Sequence, residues 1–280
     1  WHSTQRKEAA SGGVAMAALD CQEFAFVVPQ GCEAGTRLEV TAPDGVVLRV
    51  PRPGNIFGGD KLFMVKDAEG TWQVSKAERQ QRPATAWRSE AELQADLIGP
   101  DTVKVKLETS KGAIILQVVP KWAPLGAKRF LQLVDDGYFS SELAVYRAIP
   151  DGLVQFGLVQ EADPRSTRYS EIDDDPLFSV PFEDGSVTFA AGGPGTRKST
   201  ICIFLGDFRD QLGYKQPETP FGRVCPESME TLHSLFTGYG DMPQVGGEGP
   251  DPEKLEELGN EYIKSEFPKC DFVTGGCRLP

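Results

Sequence analysis

The chain has 280 residues, 40% of them hydrophobic, so it can bury a substantial core and suits one large domain or two small ones. Its formal net charge of −12 at pH 7 argues against a phosphate-binding surface, because nucleic-acid affinity depends on clustered lysine and arginine. No apolar run approaches the roughly eighteen residues of a membrane-spanning helix. We therefore expect a globular protein with no nucleic-acid partner and no direct membrane span, whose membrane contact, if any, comes through a partner complex.

The N-terminus is unusual because the chain begins at Trp1 rather than methionine. This favours a processed form of a protein that is imported into an organelle or, alternatively, enters the secretory pathway. Residues 1–18 show neither a basic start with an apolar stretch nor an Arg-rich amphipathic pattern. We expect them to form a flexible segment from which any targeting peptide has been removed.

The chain contains six cysteines, whose disulfide state the sequence leaves open. Two lie in predicted core strands, which favours free thiols, and the other four can form two bridges across turns in an oxidising compartment. The expected free thiols are Cys202 and Cys225, and the candidate bridges join Cys21 to Cys32 and Cys270 to Cys277. None has metal-ligand spacing and the chain has only two histidines, so we expect no metal and no cofactor.

Two similar glycine-rich segments occupy the first part of the chain. Each offers a Val-Pro turn, further glycines and an alternating apolar strand, and the copies end in turns at residues 43–45 and 69–70. This pattern is typical of short β-hairpins with residues of positive φ. It predicts a small β-rich repeat domain over residues 19–74. The polar residues 75–102 predict a linker with one helix near Ala91 to Leu97.

Residues 103–280 carry a continuous pattern of short strands and two helices. Two alternating strands meet at a Ser-Lys-Gly turn near residue 111. The first helix is predicted over 123–137 and ends at Gly137, and the second over about 227–237 ends at Gly238. Their apolar positions are Ala127, Phe130, Leu131 and Val134 in the first and Met229, Leu232, His233 and Phe236 in the second. Such elements suit a closed antiparallel barrel capped at its ends, although periodicity alone allows a sandwich equally well.

A series of short motifs follows in a fixed order along this region. It contains Gly-Tyr-Phe at 137–139, Tyr-Arg-x-Ile-Pro at 146–150, Gly-Pro at 193–194 and Pro-Phe-Gly-x-Val at 220–224. These motifs resemble the core of the cyclophilins, the β-barrel prolyl isomerases. The resemblance implies a mainly β fold, with an eight-stranded antiparallel barrel capped by two helices beside the small N-terminal β-domain. The C-terminal Gly-Tyr-Gly-Asp and Gly-Asn-Glu-Tyr motifs resemble a plant and algal branch of the family, which favours a chloroplast location.

The resemblance also implies the residues of a proline-binding site. It puts Arg147 and Gln155 where the family keeps its catalytic arginine and the neighbouring glutamine. Such an enzyme rotates an X-Pro amide over a barrier of about 18 to 20 kcal/mol by binding the twisted amide more tightly than the planar one. A forked, permanently charged arginine suits donation of a hydrogen bond to the amide nitrogen. The implied substrate-binding positions are Leu153, Ala190, Ala191, Gly192, Thr200, Cys202 and Tyr214.

Several positions of this site depart from the family pattern. Gly152 and Cys202 stand where the family usually has phenylalanines, so two aromatic walls of the proline socket are missing. Ala191 replaces an asparagine that hydrogen-bonds beside the peptide, and Thr200 replaces a glutamine. We therefore expect a proline ring to be held loosely.

The loop before Phe221 departs from the pattern as well, because the usual tryptophan and histidine have no counterpart. Tyr214 or Leu212 can fill part of the space, and Glu218 falls near the place of the histidine.

Two function classes stay open. The first is a prolyl isomerase or folding helper of reduced activity that acts on proline-containing polypeptides, which the retained Arg147 supports. The second is a non-catalytic structural or assembly subunit of a large organellar complex, such as a photosynthetic one, that uses the barrel to contact other protein subunits. Gly152, Ala191 and Cys202 support this second class.

Overall fold

A computed structural model describes residues 23–29, 37–51, 60–67, 69–78, 87–214 and 217–280. The chain divides into two compact units between residues 81 and 82. The predicted flexible segment, residues 1–18, and the candidate bridge between Cys21 and Cys32 lie outside the described residues.

The N-terminal unit is built from short antiparallel strands. Those described are β1 (Glu23–Val27), β2 (Arg37–Thr41), β3 (Val47–Pro51), β4 (Lys61–Lys66) and β5 (Trp72–Glu78). Strands β1, β4 and β5 form one sheet in that order, and β2 pairs with β3. Gly45 and Gly70 have positive φ angles of 84° and 82° in the two predicted hairpin turns, which are thereby confirmed. Strand β5 continues to Glu78, beyond the predicted end of this domain at residue 74.

The second unit contains one antiparallel sheet, to which nine strands contribute within residues 87–214 and 217–280. They are β6 (Val103–Thr109), β7 (Gly112–Val118), β8 (Leu143–Ala144), β9 (Arg147–Ala148), β10 (Leu153–Phe156), β11 (Ser186–Phe189), β12 (Ile201–Phe204), β13 (Gly222–Val224) and β14 (Phe272–Arg278). Their order across the sheet is β8-β14-β6-β7-β13-β11-β12-β10-β9.

The two edge strands of this sheet, β8 and β9, follow each other directly in the chain. Val145 and Tyr146 separate them, and three Cα-to-Cα steps span at most about 11 Å. The sheet must therefore curl until its edges come together, as a barrel does. The predicted antiparallel barrel is confirmed. The strand count is nine rather than eight because the strand that closes the barrel is interrupted at these two residues.

Residue alternation places one face of the sheet in the core. In β6, Val105 and Leu107 are buried, whereas Lys104, which precedes Val105, is exposed and Lys106, which lies between them, is only half-buried. Val105 pairs with Leu116 of β7 and Leu107 pairs with Ile114, so these buried side chains share one face.

Six helices accompany the sheet in the described part of this unit. They are α1 (Glu90–Leu97), α2 (Pro124–Asp135), α3 (Arg165–Arg168), α4 (Met229–His233), α5 (Pro252–Leu258) and α6 (Asn260–Glu266). Helix α2 is the predicted first capping helix, with a proline at its first position and Gly137 at φ +70° after its end. Its predicted apolar face is buried in the barrel core and comprises Ala127, Phe130, Leu131 and Val134.

The second capping helix is shorter than predicted. A turn of 3₁₀ helix, Pro226–Ser228, precedes α4, which ends at His233 instead of near residue 237. The amide of Phe236 donates to Asp271 Oδ2 at 2.7 Å and so leaves the helical hydrogen-bond pattern. Leu232 is buried as predicted, but the His233 side chain is exposed and bonds Asp184.

Helix α1 confirms the helix predicted near Ala91 to Leu97, and it packs on the barrel unit. Ser89 and Glu92 form a capping box at its start. Leu93 and Leu97 are buried in a cluster with Trp122 of the barrel unit. The later part of the predicted linker, residues 87–102, is therefore an ordered part of this unit.

The cysteines of the second unit are all free. Cys202 and Cys225 are buried free thiols, as predicted. The candidate bridge between Cys270 and Cys277 is wrong, since both are free thiols, one half-buried and the other exposed on β14. Within the described ranges, no helix has the length and apolar character needed to cross a membrane.

Candidate functional site

Four polar or small side chains form a row across adjacent strands of the barrel. Arg147 of β9 pairs with Gln155 of β10, which pairs with Cys202 of β12, which pairs with Thr188 of β11. Directly paired residues of antiparallel strands present their side chains on the same face. The barrel thus brings together the two predicted catalytic residues and one predicted substrate-binding residue.

Gln155 links Arg147 to a buried tyrosine. Arg147 Nη1 donates to Gln155 Oε1 at 3.2 Å, and Gln155 Nε2 donates to the hydroxyl of Tyr146. Burial raises the pKa of Tyr146, so its hydroxyl stays protonated. Leu255 of α5 and Ile263 of α6 pack in the same cluster as Tyr146. These C-terminal helices, which no sequence pattern had predicted, therefore pack with the tyrosine that accepts from Gln155.

The carboxylate of Asp241 occupies the forked edge of Arg147. Arg147 Nε donates to Oδ1 at 2.6 Å and Nη2 donates to Oδ2 at 3.1 Å. The two side chains are only 18% and 22% exposed. Burial alone would lower the pKa of Arg147, but the hydrogen bonds to Asp241 raise it above its usual value. The guanidinium is therefore charged and already bound to an acid of the same chain.

The loop that carries Asp241 is fixed beside strand β9. Gly240, at φ +74°, forms a β-bridge with Ala148. The amide of Gly249 donates to the carbonyl oxygen of Asp241 at 2.8 Å, and a Cβ at Gly247 would lie 2.0 Å from that oxygen. No sequence motif had indicated a role for Asp241. The glycines on either side of it are the signal that could have identified the loop, because they permit backbone contacts that other residues prevent.

A packed apolar cluster, which we call the socket, lies beside the row. Cys202 is buried with Phe182 and Phe204, whose ring centroids are 5.0 Å apart. Partly buried side chains pack against this cluster, and these are Leu153, Ala190, Phe208 and Leu212. Burial raises the pKa of the Cys202 thiol to about 12, so the thiol is neutral and behaves as a small apolar group.

Gly152, where the resemblance implies an aromatic wall of the socket, lies in the tight turn between β9 and β10. Its amide donates to the Ile149 carbonyl at 3.0 Å, and Ile149 N donates to Leu153 O at 2.9 Å. Asp151 in the same turn has a positive φ of 52°. The turn is therefore tightly constrained where the family usually has a phenylalanine.

Two further predicted positions, Ala190 and Thr200, lie at the end of the socket. Ala190 N donates to Thr200 O at 2.9 Å, which continues the pairing of β11 with β12. Because side chains two residues apart along a strand share a face, Thr200 lies on the face of Cys202. Ala191 and Gly192 follow as exposed residues at the start of a loop.

The loop before β13 is organised by Glu218. Its Oε2 accepts from the amides of Gly213 at 2.9 Å and Tyr214 at 3.3 Å. Leu212 packs with the socket cluster, whereas the hydroxyl of Tyr214 donates to the Arg209 carbonyl at 2.8 Å. Of the two residues expected to fill the space of the missing tryptophan, Leu212 thus joins the socket.

Trp87 lies against the same loop, although it precedes α1 in the chain. Its ring is 5.4 Å from that of Tyr214, and a Cβ on Gly213 would come within 2.8 Å of the indole. The Arg88 amide donates to the Ser179 carbonyl at 3.0 Å and so anchors the segment. Trp87 was not among the predicted site residues because it lies in the segment predicted as a linker. A lone tryptophan in such polar composition is the signal that could have identified it.

The described part of the chain contains no group of three or more His, Cys, Asp or Glu side chains placed to hold a metal ion.

Comparison with known proteins identifies a family for this barrel. Residues 104–252, just over half of the chain, match the model of the family described as cyclophilin type peptidyl-prolyl cis-trans isomerase/CLD. The span includes Arg147, Gln155, Cys202 and Asp241. A solved cyclophilin type isomerase from Cryptosporidium parvum covers 64% of this chain and 98% of its own, at 18% identity and a TM-score of 0.44.

Curated relatives extend this result. The peptidyl-prolyl cis-trans isomerase CYP18-2 of Arabidopsis thaliana is 30% identical over 153 residues, which cover 50% of this chain and 86% of the relative. The peptidyl-prolyl isomerase CWC27 of Yarrowia lipolytica is 37% identical over 90 residues, and the spliceosome-associated protein CWC27 homolog of Danio rerio is 28% identical over 180. These matches cover 32% and 60% of this chain but only 25% and 34% of the CWC27 proteins. On the family match and the Arabidopsis relative, the chain belongs to the cyclophilin-type peptidyl-prolyl cis-trans isomerase family.

Proposed function

We propose that the barrel binds proline-containing segments of polypeptides and isomerises their X-Pro bonds slowly. The observation that carries this proposal is the row of Arg147, Gln155 and Cys202 beside an apolar socket. A guanidinium suits donation to the proline nitrogen as the amide twists, and the partly exposed apolar side chains of the socket suit contact with the proline ring. The two groups that the reaction requires are therefore next to each other.

The composition of the socket supports slow turnover. The Cys202 side chain is much smaller than a phenylalanine and Gly152 has no side chain, whereas a buried phenylalanine contributes about 1.5 to 3 kcal/mol of apolar contact. Contacts that grip the ring while the amide rotates lower the barrier, so their loss lowers the rate. The buried, neutral Cys202 thiol is a poor nucleophile, which fits a reaction without a covalent step.

An NMR exchange or protease-coupled assay on an Ala-Ala-Pro-Phe peptide tests the proposal. We expect turnover well below that of a complete cyclophilin but above the uncatalysed rate. Arg147→Ala should abolish it, because Arg147 is the charged donor of the row. Arg278→Ala is the matched control, since Arg278 also forms a two-bond pair with an aspartate, Asp135, outside the row. Equal turnover of the wild type and Arg147→Ala would contradict the proposal.

A second candidate function is that of an assembly subunit, in which the barrel contacts proline-containing parts of other proteins. The name of the Danio rerio relative favours it, because it describes a spliceosome-associated protein. The CWC27 relatives are much longer than the matched region, so their assembly is only a guide to the kind of partner. The alternative to a spliceosome-like assembly, which we propose from the sequence, is an assembly in an organelle, with the chloroplast favoured.

Imaging of a fluorescent fusion of the complete protein in its own cells separates these two assemblies. A chloroplast signal would support the organellar proposal, and a nuclear signal would support an assembly of the kind that the CWC27 names describe. In either compartment, affinity purification of the wild type and of Arg147→Ala should differ in the partners retained if the row contacts them.

A further inference from the structure

The Arg147 guanidinium has five N–H donors, and three of them are taken within the chain. Nε and Nη2 donate to Asp241, and Nη1 donates to Gln155. Asp241 binds the edge formed by Nε and Nη2, one of the guanidinium edges that offer two parallel hydrogen bonds to a single acceptor group. A peptide that needs this edge therefore meets a site in which it is already occupied.

We infer that Asp241 competes with bound peptides for the Arg147 guanidinium. It is a positioning residue that restrains the guanidinium and so determines which proline segments the site can process. This inference rests on the proposed function. A carboxylate accepts from a guanidinium about twice as strongly as a neutral group does, so the carbonyl of a short peptide displaces Asp241 poorly. A partner that gains binding energy elsewhere on the barrel can offset this difference.

The contact is part of the fold rather than a chance surface ion pair. Arg147 and Asp241 are 18% and 22% exposed, whereas Arg278 and Asp135, which form a similar two-bond pair, are 42% and 51% exposed. Pairs shielded from water are screened less by salt. The bridge between Gly240 and Ala148 also holds the backbone of the loop beside the strand that carries Arg147.

The test compares Asp241→Asn with Asp135→Asn, which removes the same charge from the exposed pair. We expect Asp241→Asn to raise kcat/KM on the Ala-Ala-Pro-Phe peptide about ten- to hundredfold, the range that corresponds to one charged hydrogen bond. Both a lower KM and a higher kcat should contribute, because the freed edge serves the bound and the twisted peptide. Asp135→Asn should behave as the wild type, and adding Arg147→Ala to Asp241→Asn should remove the gain.

NMR of the Arg147 Nε–Hε group supplies a readout that a purely structural role would not move. In the wild type we expect slow hydrogen exchange at this group and a small response to the peptide. In Asp241→Asn we expect faster exchange and a large response. Should Asp241→Asn fold poorly, the wild-type spectrum suffices, because a large response of Nε–Hε to the short peptide would overturn the inference.

The outcomes separate this inference from the proposed function. Measurable turnover that is equal in the wild type and in Asp241→Asn would overturn the competitor role and leave the proposed function standing. Faster Nε–Hε exchange in Asp241→Asn, with no peptide binding or turnover in either protein, would overturn the proposed function and with it any competition for substrate.

Discussion

A Cβ placed on Gly152 would lie 2.8 Å from the Cβ of Ile149 and 2.9 Å from its Cγ2. These distances are shorter than van der Waals contact, and the Ile149 carbonyl would be only 3.2 Å away. The glycine is therefore required by the turn between β9 and β10. A new side chain at this position therefore cannot restore the aromatic wall that the family usually has unless the backbone moves, because the backbone of Gly152 lies too close to Ile149.

We expect Gly152→Phe to destabilise the barrel by about 1 to 3 kcal/mol, the usual cost of overpacking, and not to raise isomerase turnover. The free energy of unfolding from urea titration and the peptide assay measure the two effects. Gly193→Ala is the control, since no atom lies within 4 Å of the position that its Cβ would take. A Gly152→Phe protein with wild-type stability and faster turnover would show that the turn rearranges at little cost.

The barrel and the row were predictable from the sequence because their signals are local. Alternation in β6, the apolar face of α2 and the short motif around Arg147 each lie within a few residues. Pairing then aligns Arg147 with Gln155, which is only eight residues away.

The missed features depend on contacts between residues that are far apart in the chain. Asp241 lies 94 residues from Arg147, and no local pattern states which carboxylate will reach a given guanidinium. The early end of α4 has the same origin, because the Phe236 amide is taken by Asp271, 35 residues further on. A local sequence pattern can favour a longer helix, and a tertiary contact of this kind can still end that helix early.

Arg197 should be essential for the stability of the barrel. Its side chain is 1% exposed and Nη1 donates at 2.9 Å to Asp175, which is buried as well and also accepts from the amides of Leu125 and Gly126 at the start of α2. Arg197→Ala removes this ion pair from a buried carboxylate, so we expect a loss of about 3 to 5 kcal/mol in unfolding free energy.

Arg209→Ala provides the comparison for Arg197, because the pair of Arg209 with Asp207 is about half exposed. We expect a change of less than about 1 kcal/mol for this variant in the same urea titration. Similar losses for the two arginines would mean that burial does not determine the contribution of the Arg197 pair.

Stability should fall at alkaline pH, and Cys202 should account for part of the fall. Burial raises the pKa of its thiol from the usual 9.0 to about 12, so the folded state holds the proton more tightly than the unfolded state. The contribution is fully present below pH 9 and is lost as the pH rises towards 12. Relative to Cys202→Ala, the wild type should lose about 1.4 kcal/mol per pH unit in this window.

Urea titrations at several pH values between 7 and 11 measure this difference. Cys277→Ala is the matched control, since it removes an exposed thiol and leaves the buried one in place. Parallel pH curves for the wild type and Cys202→Ala would contradict the assignment.

Trp87 should report on binding at the loop beside the socket. Its indole contacts Tyr214 and covers Gly213, and Leu212 of the same loop packs with the socket cluster. A proline peptide that enters the socket should therefore change the fluorescence of Trp87. Trp87→Phe should lose most of this change, and Trp87→Ala should weaken peptide binding by about 1 kcal/mol or more, because one aromatic contact of the loop is removed.

Trp122→Phe is the control for the fluorescence measurement, since that indole is buried against α1. A fluorescence change that survives in Trp87→Phe and disappears in Trp122→Phe would place the bound peptide away from this loop.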